Sequence, residues 1–311
     1  MTARAREAAF LIAMLAFFGA LWGGTQPLTK IAVSGEYRAP GLIFWQLVIG
    51  AVFLGVVNRL RGNGLPFGRA QVIVFVFIAL VGKIFPNLAS FEAIRHLPSG
   101  LTSILLSLIP MLAFPIAILM RNEGFSWRRF SGLGFGLVGV MLIVLPEASL
   151  PDRAVLIFVP LAMVAPFFYA LEGNAVARWG TAGMDPVQVL YGASIIGAVI
   201  ALPLAVLTGE FIDPRGPWGA ADAAVVASSI MHAVAYTGYV WMVGRAGPVF
   251  AVQVSYLVTG FGVIWAMIFL GESYSGWIWA AMGLMFAGMF LVQPRPKEPL
   301  APVEATGKDT A

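Results

Sequence analysis

The sequence has no cysteine and two histidines, and Asp, Glu, Lys and Arg together make up 11% of its 311 residues. Without cysteine, disulfide frameworks and thiolate metal sites are excluded. His96 and His232 are too few for a histidine-rich metal site, so no metal and no cofactor is expected. No H-E-x-x-H, G-x-S-x-G or Walker A sequence occurs, which speaks against a metalloprotease, a serine hydrolase and an ATP-driven pump. A water-soluble domain carries about 25% charged residues. This chain has less than half of that and is 59% hydrophobic, so a globular soluble enzyme is excluded, and so is a disordered chain. Glycine (35) and proline (20) are abundant, which transmembrane helices tolerate. The formal charge of +4 does not indicate a nucleic-acid partner. The basic residues stand singly or in pairs at the ends of apolar runs, not along one stripe.

Ten runs are apolar and near the length of about 20 residues that a membrane-spanning helix needs. They are Ala8–Ile31, Pro40–Leu60, Val72–Ile94, Leu101–Met120, Phe130–Leu145, Val155–Arg178, Pro186–Leu207, Ala220–Val243, Val249–Leu270 and Gly276–Val292. They are too long and too uniformly apolar for strands. The first run begins with Arg4 and Arg6, like a signal peptide, but stays apolar well past a signal core, so it is read as a spanning helix. Alternating the runs across a bilayer puts thirteen basic residues on one side and five on the other, with Lys83 inside the membrane. The richer side is the cytoplasm. Both termini are therefore expected there, in a multi-pass protein of the cytoplasmic (inner) membrane. The stretch 294–311 is proline-rich and polar and is expected to be a disordered cytoplasmic tail.

The two halves resemble each other at an offset of 149 residues. Ala13, Met14, Ala16, Phe18 and Gly24 fall on Ala162, Met163, Ala165, Phe167 and Gly173. Leu108, Glu123, Ser126, Gly134, Gly139 and Leu142 fall on Leu257, Glu272, Ser275, Gly283, Gly288 and Leu291. Five spans per half is an odd number, so the second half would sit inverted, as in many secondary transporters. The expected fold is an all-α integral membrane protein of ten transmembrane helices, with one five-helix repeat over 1–146 and a second, inverted one over 151–293.

At this point the chain resembles the EamA-type transporters of the drug/metabolite transporter superfamily. Residues 21–30, LWGGTQPLTK, are similar to the Trp-Gly and following lysine of that family's first helix, and Pro40 opens helix 2 as it does there. Residues 105–126, LLSLIPMLAFPIAILMRNEGFS, resemble its proline in helix 4 and glutamate after it. Residues 269–275, FLGESYS, are similar to the same glutamate motif in the second repeat. The resemblance covers about residues 8–293. Gln46 stands where an arginine is frequent, and Thr259 where a second-repeat proline would be expected. The resemblance implies export of amino-acid-like or related metabolites.

A charge at the bilayer centre costs about 2.5–3.5 kcal/mol even on insertion scales, so such residues face a cavity or a partner. Lys83, Glu172 and His232 lie inside the apolar runs. Lys83 and His232 are 149 apart, so the repeat puts both at the same depth. One helical face reads Lys83, Asn87 and Ser90, and its mate reads His232, Tyr236 and Tyr239. Two such stripes suit a central aqueous cavity. The alternatives are a structural Lys83–Glu172 pair, a packing histidine, and a snorkelling Glu172 paired with Arg178. Trp22 and Gln26 share a face of helix 1, beside Gly23, Gly24 and Pro27. Ser103 and Ser107 precede Pro110 in helix 4, and Gln253 and Tyr256 precede Thr259 in helix 9. Glu123 and Glu272 each precede a helix, where a carboxylate complements the positive end of that helix's dipole. Gly132 and Gly136 form a small-xxx-small packing pair.

The expected function is export of a small polar metabolite, amino-acid-like or aromatic, by alternating access. Its substrate-binding residues would be Trp22, Gln26, Lys83, Asn87, Ser107, Tyr169, Glu172, His232, Tyr236, Gln253 and Tyr256. Lys83 would hold a carboxylate, and the aromatic rings would stack on an apolar or cationic part. Proton coupling through Glu172 or His232 and facilitated diffusion are both open, and the oligomeric state is unknown. The alternatives are an exchanger of anions, organic acids or phosphorylated metabolites and, from another class, a membrane-embedded transferase. The first is weakened by a single intramembrane lysine, and the second by the lack of clustered acids or histidines at a membrane face.

Overall fold

The computed structural model describes residues 3–292 except 36, 148–151, 247 and 252. The expected tail at 294–311 lies outside the described residues. Every regular element among them is helical. In order these are α1 (Ala3–Ser34), α2 (Ala39–Leu60), α3 (Arg69–Phe77), a π-helical segment (Ile78–Ile84) and α4 (Phe85–His96). Next come α5 (Ser99–Leu106), α6 (Ile109–Leu119) and α7 (Trp127–Val144). A 3₁₀ segment (Arg153–Phe158) then leads into α8 (Val159–Trp179), followed by α9 (Pro186–Leu207), α10 (Ala220–Ala246), α11 (Pro248–Ala251), α12 (Val254–Leu270) and α13 (Gly276–Val292). Among the described residues, eight continuous helical stretches are long and apolar enough to cross a membrane, and α12 and α13 are shorter apolar helices.

Proline and glycine set many of the boundaries. Proline lies in the first turn of α2 and α9, which start after an extended residue and do not need its N–H. Asp185 closes a capping box with Gln188 at the start of α9. Gly271 ends α12 in the left-handed conformation, which costs a residue without Cβ little. Two apolar runs that read as single helices are interrupted. At Ser107–Leu108 the amides bond three residues back, just before Pro110, whose ring cannot continue the α ladder. Around Gln253 the same tightening separates α11 from α12.

Much of the packing of one half has a counterpart in the other. The pairs α2 with α9 and α7 with α13 join equivalent helices of the two halves. The contact of α1 with α10 is matched by that of α8 with α4, and α1 with α12 by α8 with α6. Bare glycines allow the closest of these approaches. A Cβ on Gly132 of α7 would stand 2.8 Å from the Gly288 carbonyl of α13, and one on Gly23 of α1 would stand 2.8 Å from the Gly262 amide of α12. Large apolar side chains such as Val52, Val56, Val199 and Ile268 are exposed on the outer faces of their helices, as a lipid-facing surface requires.

Candidate functional site

The interior polar groups gather around the π-helical segment. Pro86 follows it closely, and in an α ladder the proline ring would press on the carbonyl of Gly82. Widening relieves that contact: the Phe85 amide bonds to the Leu80 carbonyl, five residues back. Such π turns are uncommon and cluster at functional sites. The segment carries Lys83, and the offset of 149 puts Ala235 where Pro86 stands, so the equivalent α10 is uninterrupted.

Lys83 Nζ lies 3.4 Å from His232 Nε2, so the two register-equivalent residues face each other between the halves. Glu172 on α8 reaches the same place because Gly82 has no side chain. A Cβ there would meet the Glu172 carboxyl carbon at 2.5 Å. Glu172 is within electrostatic reach of Lys83, yet among the described residues it makes no ion pair with Lys83 or Arg178 and no hydrogen bond. It is therefore an interior acid, neither locked to the lysine nor snorkelling to Arg178. Lys83, Glu172 and His232 are each half-buried, so each keeps part of its surface accessible.

Aromatic and amide groups complete the site. Trp22 of α1 sets its ring edge-on to His232 at 5.5 Å between centroids, with Tyr236 at 6.3 Å and Tyr239 at 6.2 Å. One turn along from Lys83, buried Asn87 donates to Gln46 Oε1 at 2.9 Å and accepts from the Tyr169 hydroxyl at 3.2 Å. Trp22, Lys83, Asn87, Tyr169, Glu172, His232 and Tyr236 are thus brought together. Gln26 lies one turn from Trp22, half-buried and with no hydrogen-bond partner among the described residues.

Three expected site residues have other surroundings. Ser107 is buried, and its hydroxyl donates to the Ile104 carbonyl at 2.6 Å. This short backward bond is favoured where the helix tightens. Gln253 is exposed at the start of α12. Tyr256 packs against Phe286 of α13, 5.7 Å between rings. Conversely, Gln46 and Gly82 enter the site although neither had been assigned to it. The signals for them were the departure from arginine at 46 and the glycine four residues before a proline.

A second polar cluster ties the link between α4 and α5. Lys30 of α1 donates to the carbonyls of Ile94, Arg95 and Leu97 at 2.8, 2.8 and 3.1 Å. These include last-turn carbonyls of α4 that have no helical partner. Glu272 accepts from the Ser99 amide (2.8 Å), the Ser99 hydroxyl (2.9 Å), the Gly100 amide (3.1 Å) and the Tyr274 hydroxyl. It therefore caps α5 of the other half, not the helix that follows it in sequence. Glu123 behaves differently and pairs with Arg129 on the next helix.

The profile of the EamA-like transporter family matches the chain twice, over residues 9–145 and 156–293. A relative from Streptantibioticus cattleyicolor, a probable terminal-alkyne amino-acid exporter, is 21% identical over 277 residues, covering 88% of this chain and 90% of its own length. An S-adenosylmethionine/S-adenosylhomocysteine transporter from Chlamydia trachomatis is 24% identical over 139 residues, 44% of this chain and 41% of its own. A solved crystal structure has a similar fold, with a TM-score of 0.61 at 20% identity, covering 89% of this chain and 95% of that one.

Proposed function

Since the chain belongs to the EamA-like transporter family, we propose that it exports small polar metabolites, amino-acid-like or aromatic, by alternating access. At the coarser level the chain is a multi-pass membrane protein of a small-molecule transporter family, and its relatives are named as transporters, not enzymes. In this reading ten helical spans form two inverted five-helix repeats, over 1–146 and 151–293. The bias of basic residues puts both termini on the cytoplasmic side of the inner membrane.

One observation carries the site: Lys83 and His232 meet at 3.4 Å between the halves, and the Glu172 carboxylate, with no hydrogen bond among the described residues, lies beside them. An ammonium and a separate carboxylate in one interior space match the two ends of a zwitterion. Lys83 takes the cargo carboxylate and Glu172 its amine, while Trp22, Tyr169 and Tyr236 receive an apolar or aromatic body. The relative named as an amino-acid exporter supports the amino-acid class. Gln26, one turn from Trp22, belongs beside this centre, whereas Ser107, Gln253 and Tyr256 are left out of it by the surroundings described above. A proton carried by Glu172 or His232 would couple export to the proton gradient.

The test is uptake into proteoliposomes with a panel of amino acids and organic acids. Lys83→Ala is expected to lower transport of accepted carboxylates by about tenfold or more, the worth of a charge-assisted hydrogen bond. Unchanged transport of every accepted substrate would remove Lys83 from the site. A rate that stays flat between pH 5 and 8 would reject proton coupling.

A further inference from the structure

Gln46 lies on α2, behind the residues that face Lys83, and no role follows for it from the reading above. Its Oε1 accepts from Asn87 Nδ2 at 2.9 Å, and Asn87 Oδ1 accepts from Tyr169 at 3.2 Å. Asn87 stands one turn from Lys83, and Tyr169 one turn from Glu172, so this string braces the two helices that carry the charged groups. On its other side Gln46 borders a recess with Thr29, Phe91, Ser228 and Ser229. The three hydroxyls there already donate to carbonyls of their own helices, Thr29 to Thr25 and both serines to Val225. No hydroxyl that lines the recess therefore competes with Asn87 for Gln46 Oε1. Asn87 is 8% exposed, so losing its Gln46 partner would leave one end of a buried amide unsatisfied. The amide would then turn, and the Tyr169 hydroxyl would lose its fixed acceptor.

We propose that Gln46 is a positioning residue of the transport site: through Asn87 it fixes the Tyr169 phenol against which the cargo is placed. The part that concerns cargo rests on the transport reading above. The part that concerns geometry does not.

The experiment uses the full-length protein with 3-fluorotyrosine at position 169, read by ¹⁹F NMR and by L-phenylalanine uptake into proteoliposomes. Gln46→Met keeps length and volume but replaces the amide oxygen with a thioether, a far weaker hydrogen-bond acceptor. Its ¹⁹F resonance is expected to move to where Asn87→Ala moves it, while Gln46→Glu, which still accepts from Asn87, stays at the wild-type position. Gln46→Ser, too short to reach Asn87, gives the same displacement as Gln46→Met and replaces it if that variant does not fold. For L-phenylalanine, Gln46→Met is expected to raise KM about tenfold, roughly the worth of one hydrogen bond, with Vmax within about twofold. In a Tyr169→Phe background the same substitution adds nothing. An unmoved resonance in Gln46→Met and Gln46→Ser would overturn the proposal. So would effects of Gln46→Met and Tyr169→Phe that multiply, or a fall in Vmax at constant KM. If wild-type vesicles carry no L-phenylalanine, the cargo reading fails and the fluorine resonance still decides the role of Gln46.

Discussion

Glu123 and Glu272 occupy the same place in the two halves and do different work. Glu272 gathers four donors and caps α5, a helix of the other half, while Lys30 caps the α4 end that meets it. Glu123 makes one ion pair with Arg129, two-fifths exposed. The acid is common to both ends, and what differs is the supply of donors. At the offset of 149, Ser99 becomes Pro248, which has no N–H, Tyr274 becomes Phe125, and Lys30 becomes Trp179. The Glu272 cluster thus fastens the halves by charge-assisted bonds that the positions around Glu123 do not repeat. At the Glu123 end the halves are joined by other pairs, Arg61 with Asp185 and Arg245 with Glu7, so the donors around each glutamate, and not the repeated acid, decide what it holds.

The comparison breaks most directly at Glu272. Glu272→Ala leaves two first-turn amides of α5 and the hydroxyls of Ser99 and Tyr274 without their acceptor. A loss of about 3 kcal/mol is expected, from several bonds to a charged group at a half-buried site. Thermal unfolding in detergent measures it, and a change below about 1 kcal/mol would show that the cap is ornamental. Lys30→Met comes next, because it leaves three carbonyls unserved but keeps the apolar stem. About 2 kcal/mol is expected, and the double variant with Glu272→Ala should cost less than the sum if the two form one cluster.

Parts of this were legible in the sequence and parts were not. That Lys83 and His232 share a depth could be read from the offset of 149; that they meet at 3.4 Å could not, because the offset says nothing of how the halves pack. Helix positions followed from apolar runs; Pro186–Leu207 and Gly276–Val292 coincide with α9 and α13. The splits at Ser107 and Gln253 were hidden, since serine and glutamine do not break a helix and only Pro110 gave a hint. Glu272 was assigned to the helix after it because local dipoles are visible in sequence, whereas Ser99, 173 residues away, is not. The missing donors at Pro248, Phe125 and Trp179 were visible, but only once the structure had shown which residues serve Glu272. Gln46 stayed obscure for a like reason, as its partner Asn87 lies 41 residues on, in another helix.

Tyr274 sharpens the comparison with pH. Burial, then its bond to Glu272 and that carboxylate's charge, push its phenol above the usual value of 10.0. A group whose pKa is higher in the folded state stabilises fully below its unfolded pKa, and that contribution fades as pH rises past it. Tyr274→Phe is therefore expected to lower stability by about 1 kcal/mol, equally at pH 7 and pH 9, with the difference from wild type shrinking above pH 10. A difference that grew with pH would mean that the phenol does not bond to the carboxylate.

The smallest effect is expected at Glu123, and it tests the claim that donors matter more than the acid. Glu123→Ala removes one ion pair with Arg129 in which the carboxylate is two-fifths exposed. Pairs of that kind contribute about 0–1 kcal/mol, since solvent screens the attraction and ordering two long side chains offsets it. Melting of this variant should lie within about 0.5 kcal/mol of wild type at moderate salt, and the gap should narrow further as salt rises. Phe125→Tyr then restores at this end the hydroxyl that Tyr274 supplies at the other, with Glu123 as its available acceptor. On its own it should add no more than about 1 kcal/mol, because Pro248 still offers no amide and Trp179 no ammonium. A Glu123→Ala loss as large as that of Glu272→Ala would mean that the two glutamates hold their ends alike, and that the asymmetry of donors around them has no energetic consequence.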